Sequence, residues 1–245
     1  MMFFKFFQRF IGKRWFSHWS DNYTLAEKEL SILPQILDGK STIFDIGANR
    51  GELSFFFAIK CNAEKVFAFE PQRRMFGLLQ GVAKNIKNIL PVNIAFSDSS
   101  QERVLQIPLQ GTGRYTPAAS FEELHENNLK KEKVMVDTVD NFVDKNNLAK
   151  LDFIKCDTEG HEFAVFKGAQ KTLATLRPIL YIEVKEATKD PLFNILKSID
   201  YHPYLWDNEN SRVVMATDGS RIQSENYYFF PIEKEEQILK KLEHL

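Results

Sequence analysis

Apolar and polar positions along the chain alternate between two patterns. Short, mostly apolar runs recur at residues 42–46, 65–69, 89–95, 151–156 and 179–184. Between them lie segments with helical spacing, including 53–59 and one running through Met75, Leu78, Leu79 and Val82. Strands alternating with helices in this way predict a Rossmann-like α/β fold, a doubly wound and mostly parallel sheet with helices on both faces. The run at 151–156 is apolar enough for a strand buried on both faces. A helix is expected over 25–37 despite Pro34, with Gly39 as its stop. Residues 104–109 read as an added strand, and the polar stretch 110–131, with Gly111, Gly113 and Pro117, as a long irregular loop. A short strand at 134–136 and a helix at 139–143 follow. Three further strands, 201–206, 212–215 and 227–230, complete one edge of the sheet. A closing helix over 233–245 turns Ile238, Leu239 and Leu242 inward.

Composition narrows the function classes. A chain of 245 residues suits one large α/β domain. A formal charge of −1 gives no case for nucleic-acid binding by the chain as a whole. Its two cysteines, Cys61 and Cys156, form neither a disulfide framework nor a zinc pattern, so a reducing, cytoplasmic setting is expected. No apolar run is long enough to span a membrane. The first twenty residues stand apart: Phe3, Phe6, Phe7 and Phe10 fall largely opposite Lys5, Arg9 and Lys13 at helical spacing, with no acid among them. That is the pattern of a helix lying peripherally at a membrane surface. Packing over the domain or a subunit partner is the competing reading. The expected organisation is therefore a basic aromatic extension over 1–22 and one domain over 23–245.

The candidate chemistry begins at the segment Phe44-Asp45-Ile46-Gly47-Ala48-Asn49-Arg50-Gly51. It is a strand end, a glycine turn and a helix start, the arrangement of a nucleotide-cofactor site. Gly47 and Gly51 permit the sharp turn and a close approach of backbone to ligand. The strand at 65–69 ends in Glu70, placed to take two ribose hydroxyls. Asp45 ahead of the first glycine would repel a pyrophosphate but suits a ligand with an ammonium group there. S-adenosylmethionine has that group, a carboxylate for the helix amides and a ribose for Glu70. Gly47, Asn49, Gly51, Asp45 and Glu70 are thus the expected cofactor contacts. Ser97 and Asp98 end the third strand, where Asp98 is placed to accept from an adenine amino group.

The segments FDIGANRG, FAFEP, NIAFSD, VDTVDNFV, LDFIKCDTEGHEFAVFKGA and RPILYIEV, in that order, resemble the FkbM-like methyltransferases. The resemblance runs over roughly residues 42–186, with the DTEGHE block its most specific part. Cys156 and Thr158 depart from the family's usual residues without removing a charge or a glycine. The resemblance implies a seven-stranded methyltransferase sheet, S-adenosylmethionine as cofactor, and O-methylation of a hydroxyl on a sugar, glycan or related small metabolite.

The DTEGHE block follows the fourth strand, beside the place where a methyl sulfonium would be held. A hydroxyl acceptor must lose its proton as its oxygen attacks, and a nearby carboxylate or imidazole can receive it. Asp157 and Glu159 are the leading catalytic residues, with His161 the expected base because its ordinary pKa lies near neutrality. Glu162 reads as a helix-start acid. Asp157, Glu159 and Glu183 offer oxygen ligands for Mg²⁺, but the spacing does not demand a metal and none is expected. Arg114, Tyr115 and His125 are candidate lid residues. Two rivals remain open: a nicotinamide-dependent oxidoreductase on the same sheet, and a non-catalytic, membrane-associated cofactor-binding protein.

Overall fold

The computed structural model describes residues 28–110, 114–115, 119–121, 128–217 and 224–243. The basic aromatic extension and His125 lie outside the described residues, and Arg114 and Tyr115 are described in their backbone alone. A turn of 3-10 helix, Lys28–Ile32, leads into α1 (Leu33–Ile36), β1 (Thr42–Ile46), α2 (Glu52–Ile59), β2 (Lys65–Phe69), α3 (Arg73–Ala83) and β3 (Ile89–Val92). Then come β4 (Ala95–Phe96), β5 (Gln101–Gln110), β6 (Arg114–Tyr115), β7 (Leu129–Asp137), α4 (Val139–Lys145) and β8 (Phe153–Cys156). The chain continues through α5 (Glu162–Lys167), α6 (Gln170–Leu176), β9 (Ile179–Glu183), α7 (Glu186–Lys197), β10 (Tyr201–Asp207), β11 (Arg212–Met215), β12 (Asn226–Pro231) and α8 (Ile232–Leu242).

The main sheet has the order β11-β10-β12-β9-β8-β1-β2-β3. Its five strands from β9 to β3 run parallel, whereas β12 pairs antiparallel with both β9 and β10. From β1 the chain proceeds outward to β2 and β3, then returns to place β8 and β9 on the other side. That reversal opens a crevice at the carboxyl ends of β1 and β8. The Rossmann-like class is as expected; among the described residues the sheet carries eight strands, one more than the resemblance implies, with β11 paired along the outer edge of β10.

Alternation along the buried strands sends side chains to two separate cores. Ile43, Val66 and Phe153 join Phe57, Leu79 and Ile238 on one face, so α1, α2, α3 and α8 lie there. Phe44, Phe69 and Ile154 join Phe142, Phe166, Leu173 and Leu192 on the other, with α4 to α7. Phe44 packs edge-on against Phe67, Phe69 and Phe142, at ring distances of 5.5, 5.0 and 5.6 Å. Such edge-to-face contacts add to plain area burial.

Three expectations needed correction. The third strand does not run to residue 95. It ends at Val92, and the Asn93 side chain donates to the Glu70 and Pro71 carbonyls at 2.8 and 3.0 Å, turning the chain into a second sheet. That sheet, ordered β4-β7-β5-β6, takes Gln110, Arg114, Tyr115 and residues 129–131 from the stretch expected to be irregular. β7, LKKEKVMVD, carries the strand expected at 134–136 back to Leu129, burying Glu132, Val134 and Val136 and exposing the residues between them, as a one-sided strand does. Finally, the helix expected over 25–37 is broken among the described residues into a 3-10 turn and a short α1 that starts beside Pro34. Helix α7 was not anticipated, because Pro191 and its charges obscure the buried pair Leu192 and Leu196.

Phe44→Ala is expected to destabilise the protein by about 3–5 kcal/mol, as for a large aromatic removed from a closed core. Urea unfolding checks this as a lowered midpoint at unchanged slope. A loss below about 1 kcal/mol would contradict the packing described.

Candidate active site

The turn after β1 is shaped by its neighbours. The Gly47 and Ala48 amides both donate to the Phe69 carbonyl, at 3.1 and 2.9 Å, so the turn is tied to the end of β2. Gly47 has φ +75°, and a Cβ there would stand 1.8 Å from the Asp157 carbonyl oxygen. No other residue fits such an approach. Asn49 is also left-handed, with φ +50°. Its amide donates to Glu70 Oε2 at 2.9 Å, while the Gln72 amide donates to Glu70 Oε1 at 2.7 Å. Burial pushes the Glu70 carboxyl up to about 7. Each of its oxygens accepts one backbone bond and retains capacity for another. The Asn49 side-chain oxygen is buried and has no hydrogen-bond partner among the described residues.

Asp45 does not line the main cleft. It shares the face of β1 that carries Ile43, so it points toward α2 and away from the main cleft. The Ser54 hydroxyl donates to its Oδ2, and the Lys155 ammonium stands 3.8 Å from its Oδ1. Burial raises its pKa, against the opposing pull of Lys155. Asp45 lines a second cavity behind the turn, together with Arg50, Glu52, Leu53 and Lys155.

The main cleft opens at the carboxyl ends of β1, β2 and β8. Gly47, Asn49, Phe69, Glu70 and Pro71 form one part of it. Ile94, Phe96, Leu105, Ala119 and Phe121 supply an apolar wall, and Asp157, Thr158, Glu159 and His161 another part. Most of that apolar wall belongs to, or adjoins, the second sheet and was missed in the sequence for that reason.

The DTEGHE loop is held by its own last residue. Fully buried Glu162 reaches back so that Oε1 accepts from the Thr158 amide at 2.7 Å, the Thr158 hydroxyl at 2.9 Å and the Gly160 amide at 3.2 Å. This is more than a favourable helix-start charge: it fixes the loop. Glu159 adopts φ +55°, a strained conformation for a residue with a side chain. The Ser120 hydroxyl donates to its carbonyl at 2.9 Å. Burial, followed by the neighbouring Asp157 charge, raises the Glu159 carboxyl pKa.

His161 is only 6% exposed. Its Nε2 lies 2.9 Å from the Ser97 hydroxyl and 3.2 Å from Arg103 Nη1. Arginine only donates, so Nε2 is the acceptor in that contact. This engagement places His161 in the wall of the cleft. Arg103 in turn lies over the Phe121 ring, 4.4 Å from its centre. Ser97 is buried in this network rather than at the cleft surface. Asp98 turns outward to Lys167 at 3.0 Å, which holds its carboxyl below the usual range, and it does not line the cleft. Lys155 was overlooked, although a lone lysine within an apolar strand is itself a sign of a buried charge with partners.

The model of the methyltransferase FkbM domain matches residues 45–204, well over half of the chain. The chain belongs to the FkbM methyltransferase family. Hexuronic acid methyltransferase AglP of Haloferax volcanii is 23% identical over 169 residues, covering 65% of each protein. The crystal structure of a methyltransferase FkbM from Methylobacillus flagellatus KT superimposes with a TM-score of 0.51 at 20% identity, covering 80% of this chain and 48% of that one. The chain thus spans about two-thirds of the length of the one relative and half of the other.

The cofactor of an FkbM methyltransferase domain is S-adenosylmethionine, and the residues present fit it. Gly47 provides a cradle that a Cβ would fill, Glu70 has acceptor capacity for hydroxyls, and the buried Asn49 oxygen lacks a donor. Gly47→Ala would force the β1 and β8 ends apart, in addition to backbone strain of about 1–3 kcal/mol. The expected result is a lowered melting temperature with loss of cofactor binding by calorimetry. Unchanged binding would contradict the close packing of the turn.

Proposed function

We propose that the protein is an S-adenosylmethionine-dependent methyltransferase acting on a hydroxyl of a sugar, glycan or related small metabolite. The observation that carries this reading is one cleft joining the glycine turn and Glu70 to Asp157 and Glu159. The sugar preference is supported by the likeness to a hexuronic acid methyltransferase.

When bound, the cofactor supplies an electrophilic methyl group on a sulfonium. The protein's part is to align an acceptor oxygen with that carbon and to accept the proton released. Gly47, Asn49 and Glu70 would hold the cofactor, with Glu70 receiving ribose hydroxyls. Asp157 would orient the acceptor hydroxyl, and the Glu159 carboxylate would receive its proton. The raised pKa of Glu159 suits that exchange, since a base nearer neutrality both accepts and releases a proton readily. Ser97, His161 and Arg103 act as a positioning network behind the loop. Orientation accounts for much of the rate in such a displacement. Residues 1–20 would add contact with a membrane surface; among the described residues, no helix is long and apolar enough to cross one.

Glu70 gives a test with a definite sign. Below about pH 7 its carboxyl is protonated and loses acceptor capacity; above, it is the better partner for hydroxyl donors. Affinity for S-adenosylhomocysteine should therefore weaken as pH falls, being roughly tenfold lower at pH 6 than at pH 8. Calorimetry across that range measures it, and Glu70→Gln should flatten the profile. No binding at any pH would overturn the cofactor assignment. Glu159→Gln should lower kcat by about 10²–10⁴-fold, with cofactor affinity kept. Methylated sugar products followed by mass spectrometry provide the readout, and a kcat within twofold of the parent would remove Glu159 from its role.

A further inference from the structure

The acids after β8 and at the end of β9 gather in a group that differs by one member from the one the sequence offered. Asp157, Glu162 and Glu183 each bring a carboxylate oxygen to within 4.8 Å of the other two. Glu162 takes the place that spacing had suggested for Glu159. Its Oε1 is filled by the three donors of the loop, so Oε2 is the oxygen left to serve the group. Oε2 is buried, in a side chain with no solvent exposure, and it has no hydrogen-bond partner. A carboxylate oxygen left unpaired at such depth is costly.

We propose that Asp157, Glu162 and Glu183 form a site for a hard divalent cation of the magnesium and calcium class. Oxygen ligands to such ions lie at about 2.0–2.6 Å, so oxygens up to about 5 Å apart fit on one coordination shell. Three protein oxygens leave positions for water and for an acceptor hydroxyl, since Asp157 also lines the main cleft. Two ammonium groups already stand at the rim: Lys155 Nζ is 3.5 Å from Asp157 Oδ2, and Lys185 Nζ is 3.0 Å from Glu183 Oε2. They mark the demand for positive charge. Lys185 also pairs with Glu225 at 2.9 Å and can keep that partner when a cation takes Glu183. A cation here would hold the acceptor oxygen and lower its pKa, easing loss of the proton to Glu159. That role rests on the methyltransferase reading above, whereas binding of the ion does not.

The test uses the full chain, freed of metal with a chelator and titrated with MgCl₂ or CaCl₂ in a calorimeter, without cofactor. One saturable site is expected, with a dissociation constant of about 0.1–1 mM for at least one of the two ions. Glu183→Gln should weaken it at least tenfold, and Lys185→Met, which removes the competing ammonium, should tighten it. Melting temperatures confirm that each variant is folded. Because Glu162 also holds the loop, Glu183 and Lys185 carry the test. Absence of saturable binding in both the parent and Lys185→Met would overturn the proposal, as would binding indifferent to Glu183→Gln. S-adenosylhomocysteine titrated into the same metal-free protein separates this failure from failure of the methyltransferase reading.

Discussion

The site depends on how closely the turn after β1 approaches the end of β8. Gly47 lies so near the Asp157 carbonyl that any side chain would collide with it. The buried Lys155 ammonium ties the same two segments, donating to the Gly47 and Ile46 carbonyls at 3.0 and 3.4 Å while standing beside Asp45 and Asp157. A charge so deep is tolerated only with partners. Here those partners are the strand ends that frame the cleft. Neighbouring parallel strands set the spacing, and glycine and lysine hold the two loops together across it.

From that junction the remaining geometry follows in two directions. Toward β2, the turn's amides engage Phe69 and Glu70, which orients the acid thought to receive a ribose. Toward β9, the Asp157 segment bends into the loop stapled by Glu162, holding Glu159 in a strained conformation at the cleft. Strained residues with raised acid pKa values cluster at functional sites. The second sheet closes the cleft from a third side and is linked to the loop through Arg103, Ser97 and His161.

Much of this was legible in the chain. β1 and β2 have the expected limits because strands buried on both faces read as unbroken apolar runs bounded by polar residues. The glycine turn, Glu70 and the DTEGHE loop do meet at one cleft. What stayed hidden depends on direction or on distant contacts. Asp45 was located correctly, but the pleat of its strand turns it toward α2. Asp98 was a reasonable strand-end acid, yet Lys167 draws it outward. β5 and β7 extend beyond the strands expected at 104–109 and 134–136, since their charged leading segments, Gln101 to Arg103 and Leu129 to Lys133, lack an apolar run. That Glu162 would bind its own preceding loop, and stand beside Glu183, could be known only once β8 and β9 were side by side.

The central claim is that the cleft between the glycine turn and the DTEGHE loop receives S-adenosylmethionine. A crystal structure of the protein grown with S-adenosylhomocysteine tests it most directly. The ribose is expected against Glu70 and the amino-acid part against the turn at Gly47, with the sulfur toward Asp157 and Glu159. A ligand bound elsewhere, or a cleft left empty at saturating ligand, would contradict it.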